Sequence, residues 1–327
     1  MSSPKKKYLA LSGGVGGAKL AVGLAHLLAP EQLTIVCNTG DDFDHYGLRI
    51  CPDLDSVMYA LAGRNDNERG WGLADESWRT LDQLGAIGGD TWFRLGDLDI
   101  ATHLLRSDEL RRGNSLSSAT KKLCAGFGIQ HTLIPMSDDA VATIVETSND
   151  DGTSGVDLNF QHYFVREQCK PTVRGFYFEG IDRAKPHPQL SQPLLNDDID
   201  AVIICPSNPF VSIDPILQLS GVREALKNTS VPVIAVSPIV GGNAIKGPAA
   251  KMLRELNYPS SAFAVANYYR DILDGFVIDH ADADHVDAIS ELGIAVHATA
   301  SIMKTLDDRI QLAQAVLQFA SALSDDQ

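Results

Sequence analysis

A chain of 327 residues, 44% hydrophobic and 21% charged, has the size and composition of a soluble globular protein with one large α/β domain or two smaller ones. Its 27 Lys and Arg against 42 Asp and Glu leave a net charge of −15, which argues against non-specific nucleic-acid binding and makes any phosphate site depend on local groups or a metal. No apolar run reaches the ~18 residues of a membrane span, and the basic start MSSPKKK leads into too short an apolar run for a secretory signal, so a cytoplasmic location is expected.

In chain order, Tyr8–Leu11 reads as a strand, Ser12-Gly13-Gly14-Val15-Gly16-Gly17 as a turn, and the following Ala/Leu-rich stretch as a helix. Leu33–Asn38 is a second strand. Asp53–Ala62 reads as a helix capped by Asp53 and ended by Gly63. Asp75–Leu84, closed by Gly85, then Ile100–Arg112 and Ser115–Phe127 are further helical patterns. Residues 53–128 therefore look like a helical insertion between strands. His131–Met136 is the next strand. Ala140–Thr147 and Val156–Arg166 flank Asn149-Asp150-Asp151-Gly152 as a β-hairpin, with Phe176–Phe178 beside it. Ala201–Cys205, Val231–Val236, Ala262–Ala266, Phe276–Ile278 and Ile294–Val296 read as buried parallel strands, and Leu306–Leu323 as the terminal helix. Strands alternating with helices imply a parallel sheet covered on both faces, in a single domain spanning 1–327.

The first strand–glycine–helix junction aims backbone N–H groups and a helix dipole at an anion, usually a phosphate. Gly14-x-Gly16 opens a dinucleotide fingerprint, but Lys19 stands where its third glycine belongs. Gly17-Ala18-Lys19-Leu20 is not a Walker loop either, so a tight turn packing helix on sheet is the plainer alternative. In a parallel sheet the ligand lies beyond the carboxyl ends of the strands. There this chain carries Ser12–Gly17, Asn38-Thr39-Gly40-Asp41-Asp42, Pro206-Ser207-Asn208-Pro209 and Ser237–Pro248. These loops offer backbone donors, amides, Lys246 and two adjacent carboxylates, which suits a diphosphate ester with a divalent cation. Asp41, Asp42 and Asp44 have the hard oxygens that Mg²⁺ prefers, although adjacent aspartates in a glycine-containing loop are often only solvated. Asp279–His285 reads as a polar loop and helix start rather than a metal motif. The five cysteines, Cys37, Cys51, Cys124, Cys169 and Cys205, form no Cys-x-x-Cys pair, and Cys37 and Cys205 sit in apolar strand patterns as buried thiols.

Six segments occur in order along nearly the whole chain. They are Ser12-Gly13-Gly14-x-Gly16-Gly17-x-Lys19, Asn38-Thr39-Gly40-Asp41-Asp42, Pro52-Asp53-Leu54-Asp55, Arg94-Leu95-Gly96-Asp97-Leu98-Asp99, Pro206-Ser207-Asn208-Pro209 and Ser237-Pro238-Ile239-Val240-Gly241-Gly242. Together they resemble the 2-phospho-L-lactate transferase (CofD) family of coenzyme F420 biosynthesis. The run SPIVGGNAIKGPAAKM is the most specific of them. The resemblance implies a Rossmann-like α/β fold with a helical addition, a homodimer, and a Mg²⁺-dependent transfer. In that reaction a three-carbon phospho-acid passes from a guanosine diphosphate ester to the terminal hydroxyl of the deazaflavin alcohol Fo, and GMP leaves. It implies Asp55 and Arg94 as Fo-binding residues, with Asp55 the candidate general base. Asp42, with Asp41, is implied to carry Mg²⁺. Gly13, Gly14, Gly16, Gly17, Lys19, Ser207, Asn208, Gly241, Gly242, Asn243, Lys246 and Gly247 are implied to hold the guanosine diphosphate. Trp71, Trp78 and Trp92 are candidate walls for the flat ring.

Two rivals stand beside this reading. Related CofD-like regulators bind nucleotide sugars without this chemistry, and Asp55, Arg94 and the helical segment speak against them. An NAD-dependent dehydrogenase is opposed by the missing third glycine and by Asn38, where an acidic residue would end the second strand.

Overall fold

The computed structural model describes residues 6–148, 155–244 and 247–325. Seven strands form the central sheet: Tyr8–Ser12 (β1), Leu33–Cys37 (β2), Thr132–Pro135 (β3), Ala201–Ile204 (β4), Val233–Val236 (β5), Gly275–Asp279 (β6) and Ala295–Thr299 (β7). Their order is β7-β6-β5-β4-β1-β2-β3, and every neighbouring pair is parallel. The order reverses at β1, between β2 and β4, which opens a crevice at the carboxyl edge.

Alternation along each strand divides the interior into two cores. Leu9 and Leu11 face one core with Val202, Ile204 and Phe276. Tyr8 and Ala10 face the other with Ile35, Ile203 and Val277. On that second side lie the helices Gly14–Leu27 (α1), Pro52–Leu61 (α2), Leu116–Gly126 and the terminal Leu306–Asp325. The segment between β2 and β3 also holds helices Arg79–Ala86 (α3) and Asp97–Arg111 (α4); Leu116–Gly126 is thus α5. A small antiparallel sheet of Leu158–Asn159, Ala142–Ser148 and Thr172–Glu179 covers part of the first side.

Several expectations change. Ala262–Ala266 is not a strand; it lies in helix Ala262–Tyr268, started by the Ser261 hydroxyl accepting from Ala264 N–H. A short apolar run suits a buried helix as well as a buried strand, and the serine cap decides here. Val156–Arg166 contributes only Leu158–Asn159 as strand before a helical turn, and Thr172–Glu179 is the main partner of Ala142–Ser148. The proposed turn at Asn149–Gly152 lies outside the described residues. The second helix begins at Pro52, with Asp53 in its first turn instead of at its cap.

Candidate active site

The glycine turn is compressed against the loop after β4. Helix α1 starts at Gly14, whose φ of +63° is open to glycine at little cost. A Cβ on Gly16 would collide with the Pro206 carbonyl oxygen, and one on Gly17 with the Ser12 and Ser207 hydroxyls. Ser207 Oγ accepts from Gly13 N–H at 3.2 Å and donates to Gly13 O at 2.7 Å. The two loops are therefore one unit. Ser207 joins Gly13 as expected, but its hydroxyl is turned to the backbone.

The loop after β2 closes on the same place. Asn38 Nδ2 donates to Asp53 Oδ2 at 3.0 Å and to Val211 O at 3.2 Å. Asp53 also accepts from the Gly14 N–H, so a carboxylate of this chain itself occupies the start of α1. Burial pushes the Asp53 carboxyl up to about 6, against the lowering effect of these hydrogen bonds. Asp53 was read from sequence only as a cap, and its role across the turn was missed.

Asp41 and Asp42 are buried, at 5% and 4% exposure. Burial first, then the charge of Asp53, raises Asp41 well above the ordinary carboxylate range. Burial raises Asp42 to about 7, opposed by Arg49, whose guanidinium stands 3.9 Å away. One Asp41 oxygen and both Asp42 oxygens lack a well-formed hydrogen bond. Buried carboxylate oxygens without donors are costly, and a cation would satisfy them. Among the described residues no three His, Cys, Asp or Glu side chains form an ion cage. Mg²⁺ does not require one, since it binds through one or two carboxylates, waters and substrate phosphates. The donor set fits Mg²⁺.

Asp55 lies with Asp53 in the first turn of α2, buried, and Arg106 of α4 grips it through both nitrogens, Nη1 to Oδ2 at 3.0 Å and Nη2 to Oδ1. Arg94 is not its partner. It is exposed and stacks 4.5 Å above the Trp78 ring, which meets Trp71 edge-on at 5.9 Å. Trp71 and Tyr59 wall a cavity of about 80 Å³ between α1, α2 and the start of the terminal helix, with Lys19, Lys304 and Arg309 supplying cations. Lys19 Nζ donates to Met303 O at 2.8 Å. Ser56, the neighbour of Asp55, also lines this cavity. Trp92 instead packs against Phe43, His45 and His162.

The Gly241-Gly242 pair is a two-residue hairpin turn between Ile239–Val240 and Asn243–Ala244, with φ of +54° and +75°. Gly241 N–H donates to both Asp282 oxygens at 3.1 Å, Asn243 Nδ2 to Gly241 O at 3.1 Å, and Ser260 Oγ to Gly242 O at 2.8 Å. Asp282, in the polar loop after β6, anchors this hairpin; nothing local in the sequence pairs the two. Asn208 Oδ1 accepts from Phe210 N–H, and its Nδ2 faces Met252 Sδ at 3.5 Å, so the helix after the hairpin reaches the loop after β4. Gly247 keeps a φ of +75°. Lys246 lies outside the described residues.

A model of the family described as 2-phospho-L-lactate transferase CofD matches residues 9–307. The chain belongs to the CofD family. CofD proteins are transferases of coenzyme F420 biosynthesis, and this chain is one of them. It is 41% identical over 317 residues to a phosphoenolpyruvate transferase of Kitasatospora aureofaciens, covering 96% of this chain and 98% of that one. It is 37% identical over 307 residues to a 2-phospho-L-lactate transferase of Methanosarcina mazei, covering 94% and 98%. A crystal structure of a UPF0052 family member from Bacillus halodurans shares the fold, with a TM-score of 0.61 at 15% identity over 97% of this chain and 100% of that one. No helix among the described residues is long and apolar enough to cross a membrane.

Proposed function

We propose that this CofD protein transfers a phosphoenolpyruvyl unit from its guanosine diphosphate ester to the terminal hydroxyl of Fo. The hydroxyl oxygen bonds to the phosphorus carrying the three-carbon acid, the bond from that phosphorus to GMP breaks, and the hydroxyl proton is released to solvent. The choice of enolpyruvate over lactate is supported by relatives named phosphoenolpyruvate transferase at 38–41% identity over nearly the whole of each chain. The observation that carries the reading is the buried Asp42 carboxylate, neither of whose oxygens has a well-formed hydrogen bond, in the loop that follows β2 at the carboxyl edge of the sheet.

Asp42 and Asp41 would hold Mg²⁺, which neutralises charge developing on the transferred phosphoryl oxygens. The remaining work is positioning, because phosphoryl transfer needs little covalent help from protein. The diphosphate is expected at the crevice rim, near Gly16, which meets Pro206, and Asn208, which meets Met252 of the helix that follows the Gly241-Gly242 hairpin. Gly13, Gly14 and Gly241 serve it indirectly, since their N–H groups bind Ser207, Asp53 and Asp282. Fo is expected against the aromatic group of Trp71 and Trp78, with the small Trp71–Tyr59 cavity taking only part of it. Arg94, over Trp78, closes the outer side of that aromatic group. The active unit is taken as a cytoplasmic homodimer, following the family.

Mass spectrometry of the product formed from Fo with guanylated enolpyruvate, lactate and glycerate phospho-acids tests this reading. Dehydro-F420-0 as the preferred product supports it. Preference for the lactyl donor corrects the acid, and no product from any donor refutes the transfer.

A further inference from the structure

Helix α4 is turned inside out. Its buried residues are Asp99, Thr102, His103, Arg106, Ser107 and Glu109, while Leu98, Leu104 and Leu105 are 43%, 51% and 37% exposed. A surface helix normally does the reverse. Stability does not explain the buried charges, because an apolar pair in place of a buried ion pair is often neutral or better. Geometry does. Arg106 is 1% exposed and meets both oxygens of Asp55. The same Nη1 stands 3.2 Å from His103 Nδ1 and donates to the Arg49 carbonyl at 3.3 Å. A guanidinium can only donate, so it meets His103 at the lone pair of Nδ1, and His103 Nε2 stands 3.2 Å from Asp99 Oδ1. Asp99 in turn accepts from the Tyr59 hydroxyl at 2.5 Å, and Tyr59 walls the aromatic cavity.

We propose that Arg106 is a positioning residue for the acceptor alcohol, braced by His103 and acting through Asp55. This rests on the transferase reading above. The fork takes two of the roughly four lone-pair positions of the Asp55 carboxylate and fixes its plane. The positions left receive the hydrogen bond of the attacking hydroxyl. Asp55 is then a fixed acceptor that aims the nucleophile, where the resemblance implied a general base. Through the Arg49 backbone the same guanidinium ties this acceptor side to the short strand Leu48–Ile50, whose Arg49 side chain faces Asp42.

The test is a double-mutant cycle of Asp55→Asn and Arg106→Gln, read as kcat and KM for Fo and for the guanylated donor. Arg106→Gln is expected to lower kcat/KM for Fo on the order of 10²-fold, the scale of a misplaced reacting group, with the donor KM little changed. The double variant should match the worse single variant within about two-fold, since residues acting as a unit are not additive. Effects that multiply, or a donor KM that rises as much as that for Fo, overturn the proposal. If Arg106→Gln does not fold, His103→Gln removes the brace together with the contact to Asp99, and the part of its loss for Fo that runs through Arg106 must vanish in the Asp55→Asn background. A wild-type protein with no transfer to Fo sinks the transferase reading and this role with it. An active wild type with multiplying effects sinks this role alone.

Discussion

Replacing Asp42 by Asn should stabilise the cation-free protein above neutral pH while abolishing transfer. The Asp42 carboxyl is buried and raised from 3.8 to about 7, chiefly by loss of water, with Arg49 and the Cys51 thiol only partly offsetting it. In the unfolded chain the same group ionises near 3.8. Below that pH both states are protonated and nothing is lost. Between the two values the unfolded state ionises while the native state does not, so stability falls as pH rises. Above about 7 the native protein carries a buried charge, and the loss is complete. At 1.36 kcal/mol per pH unit, the displacement amounts to about 4 kcal/mol. With an unfolding entropy of about 2.1 cal/mol/K per residue, that is a Tm difference of about 6 °C for a chain of this length. Asn has the same shape and no proton to lose. Thermal unfolding in EDTA should therefore show Asp42→Asn ahead of wild type by about 6 °C near pH 8 and by about 2 °C near pH 5. Excess MgCl2 should raise the wild-type Tm near pH 8 and leave the variant unmoved, because a ligand stabilises the state it binds. A gap that does not depend on pH, or a variant less stable than wild type in EDTA near pH 8, refutes this account of the site.

Gly16→Ala should destabilise the protein by about 2 kcal/mol in urea unfolding, as overpacking does, because its methyl meets the backbone oxygen of Pro206 and not a flexible side chain. Trp71→Ala should raise KM for Fo about tenfold with the donor KM unchanged, the size of a lost aromatic contact, and should remove most of the tryptophan quenching that Fo produces. Asp282→Asn should weaken the guanylated donor and spare Fo, since it loosens the Gly241 hairpin; equal effects on both substrates in steady-state kinetics would contradict that division. GDP should raise Tm and NAD should not, because the crevice lacks the features of a dinucleotide site.

The parallel sheet and its carboxyl-edge crevice were legible because hydrophobic alternation and apolar strand runs are local signals. The glycine segment was legible as a special turn, and the packing it serves was visible only in the folded protein. Its glycines admit a neighbouring backbone, and two of its donors are satisfied inside the protein. The Gly241-Gly242 pair was legible as a turn, and only the folded protein shows it to be a two-residue hairpin anchored by Asp282. Ala262–Ala266 misread as strand because its apolar run carries no period, and the cap at Ser261 was overlooked. Helix α4 was placed correctly as a helix, but its apolar side chains gave no warning that the polar face is the buried one.

Taken alone, the sequence determined the family, the alternation of strand and helix, and the edge of the sheet at which chemistry-bearing loops gather. Those are properties of neighbours along the chain. Only the folded protein decided which polar groups remain for substrate. Gly13 meets Ser207 across 194 positions, Asp55 meets Arg106 across 51, and Gly241 meets Asp282 across 41. A hydrogen bond depends on distance in space and on exclusion of water, and neither is written in the spacing of residues.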